Sequence, residues 1–365
     1  MLGTPEKTTK KSLFEEDKKT ALEAIAQAQF IAFAPYVFQA SVIMRDSGIL
    51  NHIEEARNIG ATIDEVQEKA GMSNYAVRVL MEAGLGIGLL YRKDNKYFLA
   101  KTGHIFLNNA MTRVNTDFMR DICAEGALDM KQSLVDGKPR GLKHLGNWDT
   151  IYQGLFHLLE PAKTSWFAFD HYYSDNVFPE AIPLVFESAP KKILDIGGNT
   201  GKWAQLCLEH DKDVHVGIAD MPEVINIAKK NIEALGYQDR VSYYPLNILQ
   251  HDIVLPKNYD VIWMSQFLDC FADEEIIFIL RKCHDALSDD GRIFINETFW
   301  DRQRFETSAF SLQMTSLYFT TMANGNSQLY DSRLYFEFIE KAGFDLIREI
   351  DDVGLTHTIL ELRKK

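Results

Sequence analysis

The stretch that most constrains this chain runs from Lys191 to Ala204, KKILDIGGNTGKWA. Ile193 to Ile196 read as a short buried strand. Gly197, Gly198, Asn199, Thr200 and Gly201 make a tight loop, and a helical pattern starts near Lys202. A strand that passes through glycines into a helix brings backbone N–H groups close to a ligand, because glycine has no Cβ in the way.

Spacing decides which ligand. A dinucleotide fingerprint needs glycine at its first, third and sixth positions. Counted from Gly197 these are Gly197, Asn199 and Lys202, so two of the three fail. The other common loop has a carboxylate two residues before a Gly-x-Gly-x-Gly run and binds S-adenosylmethionine (SAM). Asp195, Gly197 and Gly201 fit it, with Asn199 in the middle glycine's place. Asparagine tolerates positive φ better than most residues, so the turn survives. An ordinary glycine-rich turn between strand and helix stays open as the plainer reading.

The 365 residues leave room for two domains, and 46% hydrophobic with 25% charged residues is ordinary globular composition. A net charge of −13 argues against a nucleic-acid surface. Cys123, Cys207, Cys270 and Cys283 have no CxxC spacing, which points to a reducing, cytoplasmic setting and no structural zinc. No HExxH pair suggests a metal. The polar start through Lys19 does not read as a signal peptide, and the first dozen residues read as a mobile tail. The apolar run from Ile31 to Met44 carries Pro35, Gln39 and Ser41. It is too short to span a bilayer and reads as a buried helix pair.

The first third is helical and ends in a recognisable unit. Thr62 and Glu65 have capping-box spacing, and Ala70 and Gly71 end that short helix. Ser73 can cap the next helix, which reaches about Ala83. Gly88 to Tyr91, a turn at Lys93, Asp94 and Asn95, and Tyr97 to Leu99 read as two short strands. Helix, turn, helix and two-stranded wing make a winged helix. DNA binding would need bases on the second helix, which offers only Arg78 against Glu82. A structural or dimer-forming role fits better. From about His104 to Pro190 the chain is helical and aromatic-rich, mostly core, with His157 and His171 as possible acid–base groups.

After the glycine loop, strands and helices alternate, as in a mainly parallel sheet. Strands are expected at Val214 to Ala219, Val241 to Tyr244, Tyr259 to Met264, Arg292 to Asn296, Phe344 to Ile350 and His357 to Leu362. Helices are expected from Pro222 to about Leu235, Asp273 to Leu287, Ser308 to Met322 and Asp331 to Ala342. Function in such sheets gathers at the carboxyl ends of the strands. Those ends offer the Gly197 loop, Asp220, Asn247, the segment from Ser265 to Asp269, and Glu297. Asp220 can accept both hydrogen bonds of a ribose diol, or cap the helix that begins at Pro222. Asn247 can meet an adenine edge or serve as a loop residue.

Asp195-Ile-Gly-Gly-Asn-Thr-Gly, then Asp220-Met-Pro-Glu-Val-Ile, then Ala342-Gly-Phe, behind a winged helix, resembles the small-molecule O-methyltransferases of the caffeic acid and acetylserotonin type. The aromatic segment from Phe167 to Asp175 is similar too. The resemblance implies a class I SAM-methyltransferase α/β domain, its Rossmann-like sheet mostly parallel with the last strand antiparallel. It also implies an N-terminal helical winged-helix domain that makes a homodimer. The division expected is residues 13–110 for dimerisation, 111–185 as a helical connecting and substrate-lining segment, and 186–365 for SAM. It implies SAM at Asp195, Gly197, Gly198, Asn199, Gly201, Asp220, Met221, Asn247, Ile248 and Ser265. Phe167, His171, Met314 and Tyr318 are the expected substrate contacts.

The departures lie where chemistry is done. Leu246 and Asn247 replace the family's Gly-Asp, and Ser265 replaces its lysine. Leu268, Asp269, Cys270 and Phe271 stand where it has Leu-His-Asp-Trp with the catalytic histidine. Glu297 matches one of the two glutamates beside that histidine; the other falls near Leu329. Methyl transfer is in-line attack on a sulfonium methyl. The enzyme aligns the nucleophile, worth about 7–11 kcal/mol, and removes a proton, worth about 10²–10⁴-fold. Aspartate, near 3.9, is a poor base for a phenol near 10. Either burial beside Glu297 raises Asp269, or the acceptor is already acidic, or another group such as His171 serves. Asp269 and Glu297 are the candidate catalytic pair. The function expected is O-methylation of a small, hydroxylated, aromatic molecule. A non-methylating reaction on SAM, or a non-catalytic SAM-binding protein, stays open.

Overall fold

A computed structural model describes residues 13–174 and 176–365. The expected mobile tail and Asp175, the end of the aromatic segment, lie outside the described residues. The chain forms two compact units, Glu16–Ile122 with Thr164–Phe169, and Cys123–Lys163 with Asp170–Lys365.

The first unit is helical with a small wing. Thr62 and Glu65 cap the helix Ile63–Ala70 reciprocally: the Glu65 N–H donates to the Thr62 hydroxyl at 3.3 Å, and the Thr62 N–H donates to the Glu65 carboxylate at 2.7 Å. The Ser73 hydroxyl accepts from the Ala76 N–H and starts the helix Asn74–Ile87. That helix runs past the expected stop near Ala83, because Gly84 and Gly86 stay helical and Gly88, at φ +85°, ends it. The first wing strand, β1, is therefore Leu90–Lys93 rather than Gly88 to Tyr91. It pairs antiparallel with β2, Lys96–Leu99, across a turn with Asp94 and Asn95 at positive φ. Met44, Ile49, Leu50, Val77, Met81 and Leu90 fill the core.

The expected buried helix pair is corrected. The helices Ala21–Ala32 and Ala34–Asp46 meet at a 71° bend. The first buries no residue, and Phe30, Ile31, Phe33 and Tyr36 are 51–78% exposed. Only Ser41, Val42, Met44 and Arg45 of the second are buried, because only its last turns face the core. No single described helix is long and apolar enough to cross a membrane, although the bent pair is so by length and composition.

The second unit is built on a seven-stranded sheet: β3 Lys192–Ile196, β4 His215–Asp220, β5 Val241–Pro245, β6 Tyr259–Ser265, β7 Leu287–Glu297, β8 Phe344–Val353 and β9 His357–Lys364. The order is β5-β4-β3-β6-β7-β9-β8. The five strands from β5 to β7 are parallel neighbours, and β9 runs antiparallel to both β7 and β8. Strand β7 is longer than expected, since Leu287 already pairs with Tyr259 before a bulge. The helix expected from Ser308 to Met322 is Glu306–Tyr318, followed by a π-helical turn over Phe319–Ala323. Both faces of the sheet are covered. Ile276, Ile277, Leu280 and Cys283 of the helix Asp273–Ala286 pack on one core, and Trp203 stacks on Trp263 at 4.0 Å in the other.

His357 opens β9 fully buried, with neither ring nitrogen partnered. Burial pushes its pKa down to about 3. Folded His357 thus stays neutral where the unfolded residue, near 6.5, takes up a proton. As pH drops below about 6.5 the unfolded state binds more protons, and this residue costs about 1.4 kcal/mol per pH unit until the folded value is reached. In urea melts, the stability of His357→Leu relative to wild type should rise steadily from about pH 7 to pH 5. A pH-independent difference would mean that folded His357 titrates normally.

Candidate active site

Strands β4, β3, β6 and β7 are neighbours, so their carboxyl ends form one rim of the sheet. Strand β3 leaves the sheet through Gly197 at φ +73°, Asn199 at +47° and Gly201 at +83°, and the helix Lys202–His210 follows. Asn199 thus takes the left-handed conformation expected of it. A Cβ on Gly197 would lie 2.3 Å from the Phe267 ring, and one on Gly198 would lie 2.6 Å from Asp195 Oδ2. Both positions need glycine for close approach.

Asp195 is buried and its Oδ2 has no partner. Burial, then the charge of Asp220, hold its pKa well above the carboxylate range. Asp220 Oδ2 accepts from the Asn199 N–H at 2.9 Å, and Oδ1 accepts from the Met221 N–H at 2.7 Å. Asp220 therefore fixes the glycine loop to the end of β4. The helix Pro222–Ala234 is capped at Met221, not at Asp220. Met221 is 39% exposed, Ile248 is buried, and Asn247 Oδ1 accepts from the Leu249 N–H at 3.0 Å, which makes a local turn. The Ser265 hydroxyl accepts from Asn296 Nδ2 at 2.8 Å.

Glu297 Oε1 accepts from the N–H groups of Phe267 and Leu268 at 3.1 and 2.9 Å. It ties the turn carrying Asp269 to the end of β7. Asp269 is buried, and the Cys270 thiol donates to its Oδ1 at 3.4 Å. Burial pushes Asp269 up to about 7; the thiol hydrogen bond opposes the rise and the Asp170 charge adds to it. Burial first and Asp269 second hold Glu297 well above its ordinary value. The structure thus brings Asp269 and Glu297 together, as expected.

Several neighbours had no sequence signal. The Tyr335 hydroxyl is buried without a partner and is raised by burial, then by the charges of Glu297 and Asp269. The Tyr152 hydroxyl, also unpartnered, lies close enough to Cys270 and Tyr318 for their charges to raise it after burial does. Asn324 Nδ2 donates to the Cys270 carbonyl at 2.6 Å, and the Tyr330 hydroxyl donates to the Phe271 carbonyl at 2.7 Å. These residues sit in stretches whose spacing matches plain helix or loop. Leu329, the position of the family's second glutamate, is buried and donates its N–H to Ser316 Oγ.

Of the expected substrate contacts, Tyr318 is buried beside this cluster, and Met314, one turn earlier, is 40% exposed. His171 is exposed on the helix Ala162–Ser174, and His157 is exposed too. Phe167 belongs to the other compact unit, edge-on to Trp166 at 5.2 Å.

A parallel sheet of this order, with a glycine loop after its central strand and a carboxylate ending the next, defines a class I SAM-dependent methyltransferase. Its residues fit SAM: two glycines leave backbone bare, and Asp195 presents a buried, unpartnered oxygen suited to a cationic group. The chain matches the O-methyltransferase domain over residues 182–345 and the Dimerisation2-like domain over residues 26–97. It belongs to the SAM-dependent small-molecule O-methyltransferase family. It is similar to the L-tyrosine C(3)-methyltransferase of Streptomyces lavendulae, 23% identical over 303 residues and 81% of each chain. It is also similar to the 3-amino-4-hydroxybenzoate 4-O-methyltransferase of Streptomyces cremeus, 28% identical over 45% of this chain and 44% of that one. Among solved structures, the SAM-dependent methyltransferase SibL shares the fold with a TM-score of 0.70, 21% identity and 93% and 100% coverage of this chain and that one.

Proposed function

We propose that this methyltransferase acts on a phenolic oxygen of a small aromatic acceptor, with Asp269 as the group that orients and deprotonates it. The observation that carries the reading is a buried carboxyl just after β6, on a turn that Glu297 ties to β7, with burial pushing it up to about 7. The name of the 3-amino-4-hydroxybenzoate 4-O-methyltransferase points to an oxygen acceptor, while the L-tyrosine C(3)-methyltransferase shares the hydroxylated aromatic acceptor but methylates carbon. Bound SAM supplies an electrophilic methyl on a sulfonium. The chain does the rest. Residues 186–365 hold the cofactor, with Asp220 toward the ribose, the glycine loop toward the methionine end, and Asn247, Ile248, Met221 and Ser265 around it. His171, Met314 and Tyr318 line the acceptor. Glu297 positions the Asp269 turn through its two backbone hydrogen bonds. Asp269 takes the phenol proton as the oxygen attacks. The test is acceptor-dependent conversion of SAM to S-adenosylhomocysteine over a panel of phenols. SAM binding with no turnover on any of them would favour the non-catalytic reading.

Residues 13–110 are proposed as the surface of a homodimer working in the cytoplasm. Leu22, Ile25, Phe30, Ile31, Phe33 and Tyr36 are all exposed on consecutive helices, and obligate interfaces of this apolar kind commonly exceed about 2,000 Å². Light scattering should give about twice the 41.7 kDa chain mass at micromolar concentration; the chain mass itself would refute the dimer.

A further inference from the structure

Strand β5 lies at one edge of the sheet, and the chain crosses β4 and β3 to reach β6. Parallel strands are usually joined through a helix, whose backbone groups satisfy one another. Residues 246–258 make this crossing with no helix or strand. Ile248 and Leu255 anchor the loop in the core. Few bonds hold its start: the Leu246 N–H donates to the Asp220 carbonyl at 2.9 Å, and the Gln250 N–H to the Asn247 carbonyl at 3.1 Å. The rest of the hold comes from the helix Asp273–Ala286. Its Lys282 Nζ donates to the Gln250 carbonyl at 2.6 Å and to the Ile253 carbonyl at 2.7 Å. The same ammonium lies 4.8 Å from the ring centroid of Phe278, one turn earlier. That ring also meets His251 of the loop at 5.0 Å. Asp252, on the loop, is the charge near enough to act on the ammonium. Gln250 thus links Asn247 to Lys282: its N–H donates to one, and its carbonyl accepts from the other.

Resting on the cofactor placement proposed above, with Asn247 at the adenine edge, we propose that Lys282 is a positioning residue for the adenine of SAM and acts through Asn247. Asn247 Oδ1 is spent on the Leu249 N–H at 3.0 Å, which leaves the Nδ2 donors for a ligand. A donor suits the ring nitrogen N1 of adenine, which accepts. Hypoxanthine carries a hydrogen on N1 and sets donor against donor. The direction of Nδ2 depends on the turn from Asn247 to Gln250, and that turn is closed from outside by the Lys282 ammonium. A charged donor bonded to a carbonyl is stronger than a neutral one, so Lys282 holds more of the loop than either backbone bond does.

The test is calorimetry of S-adenosylhomocysteine and of its hypoxanthine counterpart, S-inosylhomocysteine, so no acceptor or turnover is needed. Wild type should bind the adenine compound about tenfold or more tightly than the hypoxanthine compound. Lys282→Met keeps the apolar stem and loses the donors. It should bind the adenine compound about fivefold less tightly and the hypoxanthine compound within about twofold of wild type, so the preference collapses. Lys282→Arg, which keeps donors for both carbonyls, should restore most of the preference. Asn247→Ala should lower the preference in the wild type and add little in Lys282→Met. A lysine that only stabilises the fold would lower both affinities together; an unchanged ratio in Lys282→Met would therefore overturn the assignment, whatever the variant's stability. Equal binding of the two compounds by wild type, or a full preference in Asn247→Ala, would instead strike the placement of adenine at Asn247, and the assignment with it.

Discussion

Asp269→Asn lowers kcat by about 10²-fold or more and leaves SAM affinity unchanged. The expectation rests on where Asp269 sits. Its turn is tied to β7 by Glu297, its carboxyl is buried, and its Oδ1 already accepts from the Cys270 thiol. Asparagine keeps the shape and one acceptor but cannot take a proton. The pH profile gives an independent reading. Asp269 is a base only when ionised, and its pKa is pushed up to about 7. Turnover should therefore rise with pH through about 7 in the wild type and lose that limb in Asp269→Asn. Asp269→His returns an imidazole near 6.5 to the position and should restore activity toward less acidic phenols. Undiminished kcat in Asp269→Asn would move the proton transfer elsewhere, with His171 the next residue to change.

The second large effect is on the cofactor. Asp220→Ala should weaken SAM binding by about 1.5–3 kcal/mol, or roughly 10–150-fold. The carboxylate does two jobs in one place. It holds the Asn199 N–H and the Met221 N–H, and its remaining lone pairs are those assigned to the ribose. On the proposed reading, alanine loses the ribose contact and frees the glycine loop together. Asp220→Asn is no rescue, since an amide nitrogen turned toward either backbone N–H sets donor against donor. Calorimetry giving equal SAM affinity in wild type and Asp220→Ala would remove Asp220 from the site.

The sheet was legible in the sequence because each strand is short, apolar and bounded. Pro222 opens its helix, Asn199 and Gly201 take positive φ, and Ile276, Ile277, Leu280 and Cys283 pack inward at helical spacing. Boundaries slipped where local signals conflict. Gly84 looked like a stop but leaves room for the Met44 and Leu90 side chains against the helix. The run from Ile31 to Met44 looked like core because apolarity says what wants burial, not what buries it. The Asp269–Glu297 neighbourhood followed from strand order, since β6 and β7 are adjacent. Tyr152 and Tyr335 did not, because nothing in linear spacing brings residues so far apart to one carboxyl pair. Burial beside Glu297 was the expected cause of a raised Asp269, and burial is the larger cause; the added Asp170 charge had no sequence signal.

The central claim is that this chain moves a methyl group from SAM to the oxygen of an aromatic acceptor. The most direct measurement incubates the wild-type protein with SAM labelled in its methyl carbon and a phenol that it turns over, then locates the label by NMR. The account predicts an aryl methyl ether, formed one for one with S-adenosylhomocysteine. Label on a ring carbon, or an intact SAM pool beside saturating SAM binding, would contradict it.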